Sequence, residues 1–330
     1  MNQQGANIVV IGGGTGSFTL LQGLKSYTHN ITALVNMADD GGSTGQLRDE
    51  LGALPPGDVR QCLVALSESP KVRDLFNYRF EKGSFKGHAF GNLFLTALEQ
   101  MTGSFAEAVE SASEVLKITG NVEPITLTDV TLCADGVDGK PIKGESTIGH
   151  AEIALRPTVW LEPEAEANPA AVTAIMNADM VVIAPGNLYG SLAPALVIKG
   201  VQDALRETTA KCVYVSNLVT KPGPTDGFSV VDFASEIERL AGSEFLDYVV
   251  FNNDAPSDDL MRRYAHDGEF AVKYDADELR DQHYVCKAAP LLAKGTWDGA
   301  QASDPLAHTR SFIRHDSDAV ARQLMRIYFA

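Results

Sequence analysis

Short apolar runs alternate with segments of helical periodicity along most of the chain. The first run, 8–11, precedes a glycine-rich segment, and residues 17–27 then place Leu and Phe at helical spacing. Further apolar runs lie at 31–36, 180–184, 213–217 and 248–253. Apolar runs without alternation are typical of parallel strands that are buried on both faces. The pattern predicts an α/β fold with a Rossmann-like, doubly wound and mostly parallel sheet.

Residues 122–160 have a different pattern. Short segments with strand character lie at 125–128, 130–132 and 151–155. With the Asp138-Gly139 turn between them, they predict a small β-rich insertion within a single α/β domain of residues 1–330. We interpret segment 144–148 as the start of an ordinary strand in this insertion.

Several predicted helices begin with capping signals. These are Ser104 with Glu107, Asn168 before Pro169, and Asp316 or Ser317 before the amphipathic segment 319–329. A side chain that accepts a hydrogen bond from the first turn fixes where a helix starts. The signals therefore predict three helix starts.

The first glycine-rich segment directly follows the first predicted strand. It consists of Gly12, Gly13, Gly14, Thr15 and Gly16. Glycine has no Cβ, so the backbone can approach an anion closely, and the next helix directs its positive dipole end to the same place. We interpret these residues as a phosphate-binding turn, with tight-turn packing as the alternative. The G-x-x-x-x-G-K-[ST] pattern of P-loop ATPases does not occur in the chain.

A second glycine-rich segment follows the second predicted strand and contains two acids. It reads Asp39, Asp40, Gly41, Gly42 and Ser43. The carboxyl ends of parallel strands meet at one edge of the sheet, so both segments are expected to border one ligand crevice. Because carboxylates repel phosphate, we interpret Asp39 and Asp40 as contacts to Mg²⁺, to a ribose hydroxyl or to an acceptor substrate. Both are also candidate catalytic residues.

Further polar residues lie near the ends of the other predicted elements. The candidates for ligand contacts are Asp58, Arg60, His88, Asn92, Gly186, Asn187, Tyr189, Asn217, Thr220 and Arg314. An arginine at a helix start, such as Arg60, is suited to bidentate phosphate binding. Asp58 is either a ligand contact or a helix cap, and Arg314 binds either an anion or a surface carboxylate. His88, which has glycines nearby, is a third catalytic candidate.

Charge and composition narrow the classes of function. A formal net charge of −16 disfavours nucleic-acid partners and anionic membrane surfaces. No apolar stretch reaches the roughly 18 residues of a membrane span, and residues 1–5 lack the features of a signal peptide. The cysteines have no metal-binding spacing. Together these features predict a cytoplasmic protein without membrane insertion.

Six motifs together resemble one protein family. They occupy residues 12–16, 39–48, 55–60, 87–93, 184–189 and 314–316. In this order they resemble the bacterial gluconeogenesis-factor proteins of the YvcK type, which are relatives of archaeal 2-phospho-L-lactate transferase. The similarity extends from Ile8 to the final helix. It departs from the family pattern at Asn187, Gly190, Pro224 and Phe233.

The resemblance implies a function as well as a Rossmann-like fold. It implies a cytoplasmic regulatory protein that binds a nucleotide sugar, UDP-N-acetylglucosamine, and is linked to cell-wall synthesis and cell shape during gluconeogenic growth. Another copy of the chain and a cell-wall regulatory protein are the candidate protein partners. The related transferase instead moves a phospholactyl group from a guanosine diphosphate carrier with Mg²⁺. A nicotinamide-dependent dehydrogenase is a third alternative, and Ser17 argues against it because it occupies the last position of the G-x-G-x-x-G pattern.

Overall fold

The computed structural model of the chain describes residues 5–149, 151, 153–294 and 313–330. The strands in these residues are β1 (Ile8–Gly12), β2 (Ile31–Val35), β3 (Asn121–Pro124), β4 (Thr131–Asp135), β5 (Pro141–Lys143), β6 (Val159–Glu162), β7 (Met180–Ile183), β8 (Lys211–Val215), β9 (Tyr248–Asn252) and β10 (Val285–Ala289). They form a large parallel sheet and a small antiparallel sheet, so the predicted α/β class with a β-rich insertion is confirmed.

The large sheet has seven parallel strands in the order β10-β9-β8-β7-β1-β2-β3. β1 lies between β2 and β7, with Ile8 in register with both Ile31 and Met180. The chain proceeds outwards to one side of β1 through β2, and to the other side from β7 onwards. This reversal of strand order makes the carboxyl edge between β1 and β7 the switch point, where α/β proteins of this type bind ligands.

The helices are α1 (Gly14–Leu24), α2 (Gly42–Leu51), α3 (Gly57–Leu66), α4 (Pro70–Asn77), α5 (Phe90–Thr102), α6 (Phe105–Leu116), α7 (Glu145–Ile148), α8 (Pro169–Met176), α9 (Ala193–Leu196), α10 (Lys199–Glu207), α11 (Val230–Ala241), α12 (Asp258–His266), α13 (Ala276–Arg280) and α14 (Ser317–Tyr328). A π-helical turn, Leu188–Leu192, precedes α9. Within the described ranges, no helix combines the length and the apolar character that crossing a bilayer requires.

The core lies on both sides of the large sheet. All residues of β1 and β7 are buried, as their uninterrupted apolar runs predict. α1 packs against α3 and α14, while α10 packs against α8, α9 and α11. Burial of the central strands fixes the direction in which their carboxyl ends point, and so positions the loops of the switch point.

The small sheet differs from the predicted insertion at both ends. Its strands run in the order β5-β4-β6 and extend from Thr131 to Glu162, rather than over 122–160. Segment 121–124 pairs with β2 as an edge strand of the large sheet, and segment 125–128 is not a strand. Short apolar segments carry no information about which sheet they join, because strand pairing depends on distant residues.

One further expectation about local structure was wrong, and one strand was missed. Segment 144–148 is not the start of a strand, because it folds into the single helical turn α7. β10 was not predicted, and its residues are mostly exposed at the edge of the sheet. An edge strand buries little surface, so its sequence has no apolar run by which it can be recognised.

Candidate functional site

A cleft with a volume of about 350 Å³ lies at the switch point. Its walls come from five segments: the start of α1, the turn after β7, the loop after β8, Glu269 after α12, and residues 313–315 before α14. These segments are far apart in sequence and meet because parallel strands place their carboxyl ends at one edge. We call this space the anion cleft.

The predicted phosphate-binding turn forms one wall of the anion cleft. Gly13, Gly14, Thr15 and Gly16 line it, and Gly12 is the last residue of β1. Helix α1 begins at Gly14, three residues earlier than the sequence predicts, and its N-cap Gly13 supplies no side-chain hydrogen bond. The first turn of a helix presents N–H groups that lack partners within the helix, and these groups favour an anion.

Asp58 lies against this turn and does not cap α3. The N-cap of α3 is Pro56, and the Asp58 carboxylate instead accepts a hydrogen bond from the Gly14 N–H. A Cβ at Gly13 would lie 2.1 Å from Asp58 Oδ2, so this approach requires glycine. Burial, together with the nearby charges of Asp39 and Glu145, raises the pKa of Asp58 to about 8.

Asp39 and Glu145 lie close to Asp58, and Asp40 lies close to both of them. Burial raises the pKa of Asp39, whose Oδ1 accepts a hydrogen bond of 3.0 Å from the Gly41 N–H. Asp40 Oδ1 accepts a hydrogen bond of 2.8 Å from the Ser146 N–H, which connects the second glycine segment to α7. Glu145 is the first residue of α7, and burial with the charges of Asp39 and Asp40 raises its pKa to about 7.

Glu145 was missed because the insertion brings it to the site from a distance. A Cβ at Gly190 would lie 2.5 Å from Glu145 Oε1, so glycine at this position makes room for the carboxylate. No signal in the sequence relates Glu145 to Gly190, because the contact joins α7 in the insertion to the π-helical turn after β7.

The carboxylates fit a metal ion that arrives together with its ligand. Among the described residues, no three His, Cys, Asp or Glu side chains converge closely enough to hold a metal ion. Mg²⁺ is commonly bound through one or two carboxylates, waters and phosphate oxygens of the substrate. Asp39 is close enough to Asp58 for its charge to raise the pKa of Asp58, and this pair would supply such ligands.

His88 belongs to a hydrogen-bonded group at the second glycine segment. His88 Nδ1 lies 2.9 Å from Ser43 Oγ, and Asn92 Nδ2 donates to Ser43 Oγ at 3.3 Å. Arg60 Nε donates to Asn92 Oδ1 at 2.9 Å, and Arg60 Nη1 donates to Asn77 Oδ1 at 2.5 Å. Hydrogen bonds therefore connect four of the predicted site residues. The Arg60 guanidinium donates to side-chain amide oxygens, and Arg60 is not among the residues that line the anion cleft.

Other predicted residues have different positions from those we expected. Asn217 lines the anion cleft, but its Nδ2 donates to the Gly186 carbonyl at 2.7 Å and its Oδ1 accepts from the Tyr214 hydroxyl at 3.1 Å. Tyr189 is 1% exposed, and its hydroxyl donates to Glu236 Oε1 at 2.8 Å. Thr220 is also buried and pairs with the Phe270 backbone.

These three side chains therefore organise the loops of the site. Asn217 holds the turn that contains Gly186, Tyr189 anchors the π-helical turn in the core, and Thr220 fixes the loop after β8. Asn187 remains at the cleft, where its Oδ1 accepts a hydrogen bond of 3.1 Å from the Gly190 N–H. Side-chain direction, which the sequence does not reveal, separates residues that face the cleft from residues that support it.

Arg314 and His315 belong to the segment that immediately precedes α14. Both line the anion cleft, and Arg314 brings the positive charge that an anion needs. His315 was missed as a site residue. Burial lowers its pKa to about 4, although a hydrogen bond from its ring to the Ser216 carbonyl opposes this shift. The predicted cap after them is confirmed, because Asp316 Oδ1 accepts a hydrogen bond of 2.8 Å from the Ala319 N–H.

Comparison with known proteins places this site in a family. The model of a family described as 2-phospho-L-lactate transferase CofD matches residues 8–292. A relative from Clostridium acetobutylicum is 42% identical over 327 residues, which cover 98% of this chain and 69% of that protein. The gluconeogenesis factor of Bacillus subtilis is 39% identical over 280 residues, covering 84% of this chain and 88% of that one.

A solved structure supports the same assignment. The crystal structure of a UPF0052 family protein from Bacillus halodurans matches with a TM-score of 0.88 and 34% identity, covering 97% of this chain and 99% of that chain. The agreement covers nearly the whole length of both chains. The chain thus belongs to the CofD family, and within it to the group of bacterial gluconeogenesis factors.

Proposed function

We propose that this protein binds a nucleotide sugar, UDP-N-acetylglucosamine, at the anion cleft and acts as a cytoplasmic regulator. The regulation concerns gluconeogenic growth, cell shape and cell-wall synthesis. The observation that carries the proposal is that Thr15 and Gly16, in the first turn of α1, line the same cleft as Arg314. Backbone N–H groups at a helix start and a guanidinium are the two kinds of donor that bind a diphosphate best.

The size and surroundings of the cleft suit part of such a ligand. Its volume of about 350 Å³ lies within the usual range of ligand sites, about 300–1,000 Å³. The protein carries a net charge of −16, so diphosphate binding depends on local donors rather than on a general attraction. Arg314 is therefore expected to contribute strongly to affinity.

We predict that Arg314→Ala weakens binding of UDP-N-acetylglucosamine by roughly 1.5–3 kcal/mol, the scale of a hydrogen bond to a charged group. Isothermal titration calorimetry measures this. Arg322→Ala is the matched control, because Arg322 lies on α14 and pairs with the exposed Asp318. The wild-type protein should release heat on titration, and absence of heat at millimolar ligand would refute the proposed function. Equal affinity of wild type and Arg314→Ala would remove Arg314 from the site.

The proposed regulation requires a protein that responds to the bound nucleotide sugar. We propose a cell-wall regulatory protein as that partner, and a second copy of this chain as a further partner. Analytical ultracentrifugation with and without UDP-N-acetylglucosamine tests the second of these. A change of sedimentation coefficient consistent with dimerisation would support it.

A second candidate function, a Mg²⁺-dependent transferase, is favoured by the carboxylates beside the anion cleft. Asp39 and Asp58 would hold Mg²⁺ with the diphosphate of a nucleotide-linked donor, and Mg²⁺ would neutralise charge on the leaving group. His88 and Ser43 lie within hydrogen-bonding distance of each other and would orient an acceptor hydroxyl. Product formation from a guanosine-diphospholactate donor, lost in Asp39→Asn and Asp58→Asn, would support this function. No product with Mg²⁺ present would favour the regulator.

A nicotinamide-dependent dehydrogenase is the least supported alternative. Ser17 is buried in α1 at the position of the third glycine of the dinucleotide-binding pattern. The acids that follow β2 belong to a second glycine segment bonded to α7, and Asp40 accepts its hydrogen bond from Ser146. Unchanged protein fluorescence on addition of NADH would eliminate this function.

A further inference from the structure

A second cavity, with a volume of about 730 Å³, adjoins the anion cleft. It lies between α7 with the residues that follow it and the loop that begins at Lys221. Asn187, Lys221 and Glu269 line both spaces, so the cavity and the anion cleft share a border at these three residues. We call this second space the side chamber.

The walls of the side chamber combine apolar surface with hydroxyl-binding groups. Ile148 and Ile153 lie on the insertion side, and Pro222 and Pro224 lie on the opposite side. Glu145 and Asn187 place a carboxylate and an amide at the chamber. Apolar walls with a few convergent polar groups are typical of sites for small organic ligands.

An ion pair stands at the junction of the two spaces. Lys221 Nζ binds Glu269 Oε1, and the side chains are 50% and 15% exposed, respectively. A lone carboxylate here would repel a diphosphate in the anion cleft, and Lys221 neutralises it. An ammonium has three N–H donors, so a bond to Glu269 leaves donors for the oxygen of a ligand.

The loop that carries Lys221 is held in place by its own hydrogen bonds. The Lys221 N–H donates to Thr225 Oγ1 at 2.7 Å, and the Thr225 hydroxyl donates to the Lys221 carbonyl at 3.1 Å. The position of the lysine backbone is therefore defined before any ligand binds, which lowers the entropic cost of using this side chain.

We infer that the side chamber binds the neutral, hydroxyl-rich group attached to the diphosphate of the ligand, a pyranosyl group, and that Lys221 contacts the phosphate which joins the two parts. This inference rests on the proposed function and adds to it a second subsite. Nothing in the anion cleft requires the group to be a sugar, because the cleft itself recognises only the anion.

The charges around the side chamber specify that this group is neutral. Among the described residues that line the chamber, the cation Lys221 is paired with Glu269, and Glu145 adds a further carboxyl group, so a carboxylate or a second phosphate would find no uncompensated positive charge there. Sugar hydroxyls instead donate to carboxylate oxygens, and the apolar faces of a pyranose ring pack against proline and isoleucine. The chamber is thereby expected to select a glycosyl diphosphate over a nucleoside diphosphate alone.

A residue that fills the side chamber tests the inference. Ser146 lines the chamber and is exposed, while its neighbour Thr147 is exposed but does not line it. Ser146→Trp keeps the N–H that Asp40 binds, and Thr147→Trp is the matched control on the same helical turn. Calorimetric titrations with UDP and with UDP-N-acetylglucosamine are compared for the wild type and both variants.

We expect the wild-type protein to bind UDP-N-acetylglucosamine at least about tenfold more tightly than UDP, a difference of about 1.4 kcal/mol. Ser146→Trp should remove this difference and leave UDP affinity within about twofold of wild type, while Thr147→Trp should retain it. If UDP binds and Ser146→Trp retains full preference for the sugar, the inference is overturned and the proposed function stands. If neither ligand binds the wild-type protein, both fail.

A double variant tests the direct contact by Lys221. Lys221→Met should weaken UDP binding by about tenfold or more, since it removes a donor and leaves the Glu269 carboxylate unpaired. If Lys221 contacts the ligand, Lys221→Met/Glu269→Gln remains at least about fivefold weaker than wild type. Wild-type affinity in the double variant would overturn the contact, because Lys221 would then only neutralise Glu269.

Discussion

At the scale of single residues, the candidate site combines donors for an anion with carboxylates that disfavour one. Asp58 lies so close to the glycine turn that Gly13 admits no side chain, and its pKa is raised to about 8 by burial and by neighbouring acids. Such an arrangement lowers stability at neutral pH, because a buried carboxylate resists ionisation. Buried carboxyl groups with a raised pKa are typical of functional sites, because a bound cation or hydroxyl group stabilises the ionised form.

His315 gives a prediction about acid stability. Its pKa is lowered to about 4 in the folded state, below the value of about 6.5 in an unfolded chain. The folded state therefore holds fewer protons, so the stability that His315 contributes is complete above about pH 6.5 and is lost as pH falls towards 4. We expect this residue to account for about 2 kcal/mol of the decrease in the free energy of unfolding between about pH 7 and about pH 5.

Urea denaturation of wild type and His315→Gln at both pH values measures this difference. The variant should lose less stability on acidification than the wild type. His266→Gln serves as the control, because the His266 side chain is 89% exposed. An identical pH dependence for wild type and His315→Gln would contradict the assignment of His315 as a buried neutral imidazole.

At the scale of secondary structure, helix caps determine how the site residues are presented. The predicted caps at Ser104, Asn168 and Asp316 are confirmed, with hydrogen bonds of 3.3, 3.0 and 2.8 Å to their first turns. The cap at Asp316 matters most for the site, because Arg314 and His315 immediately precede it. A fixed start of α14 therefore fixes the direction in which these two side chains enter the cleft.

We predict that Asp316→Ala lowers the free energy of unfolding by about 1 kcal/mol and also weakens nucleotide binding. Ser104→Ala removes a cap from α6, which does not line the anion cleft, and should cost a similar amount without any change of affinity. Chemical denaturation and calorimetry on both variants separate the two effects. Equal nucleotide affinity in Asp316→Ala and Ser104→Ala would show that the cap has no role in the site.

At the scale of the whole molecule, the strand order determines where the anion cleft lies, and the net charge determines the electrostatic field around it. The reversal of strand order between β1 and β7 brings the loops that follow β1, β7 and β8 to one edge, where they line the anion cleft. The small sheet adds α7 and its Glu145, so several carboxyl groups lie near this edge in a protein of net charge −16. A cation that accompanies the diphosphate would offset this unfavourable field.

We therefore predict that Mg²⁺ strengthens binding of UDP-N-acetylglucosamine by about tenfold, and that EDTA reverses the effect. Thermal unfolding with saturating ligand should occur at higher temperature with Mg²⁺ than without it, because binding to the folded state stabilises it. Na⁺ at equal ionic strength is the control for screening. Asp58→Asn should reduce the effect of Mg²⁺, and an affinity unaffected by EDTA would exclude a role for the metal in binding.

The sequence predicted the parts of the fold whose signals are local. Uninterrupted apolar runs identified five of the parallel strands, glycine-rich segments identified the two turns at the carboxyl edge, and side-chain oxygens identified three helix starts. β3 and β10 were missed, since their burial depends on neighbouring strands rather than on their own residues. The boundaries of the small sheet were displaced for the same reason.

The sequence by itself determined the type of fold and the presence of two glycine-rich segments at the carboxyl edge of the sheet, because these follow from short-range patterns in the chain. Only the tertiary structure decided which polar residues face the cleft. In the folded protein, the Tyr189 side chain lies in the core and Asn217 holds the turn that contains Gly186. Glu145, from the insertion, lies close to Asp39. The direction of a side chain and the meeting of distant segments depend on the packing of the whole molecule, which no local pattern specifies.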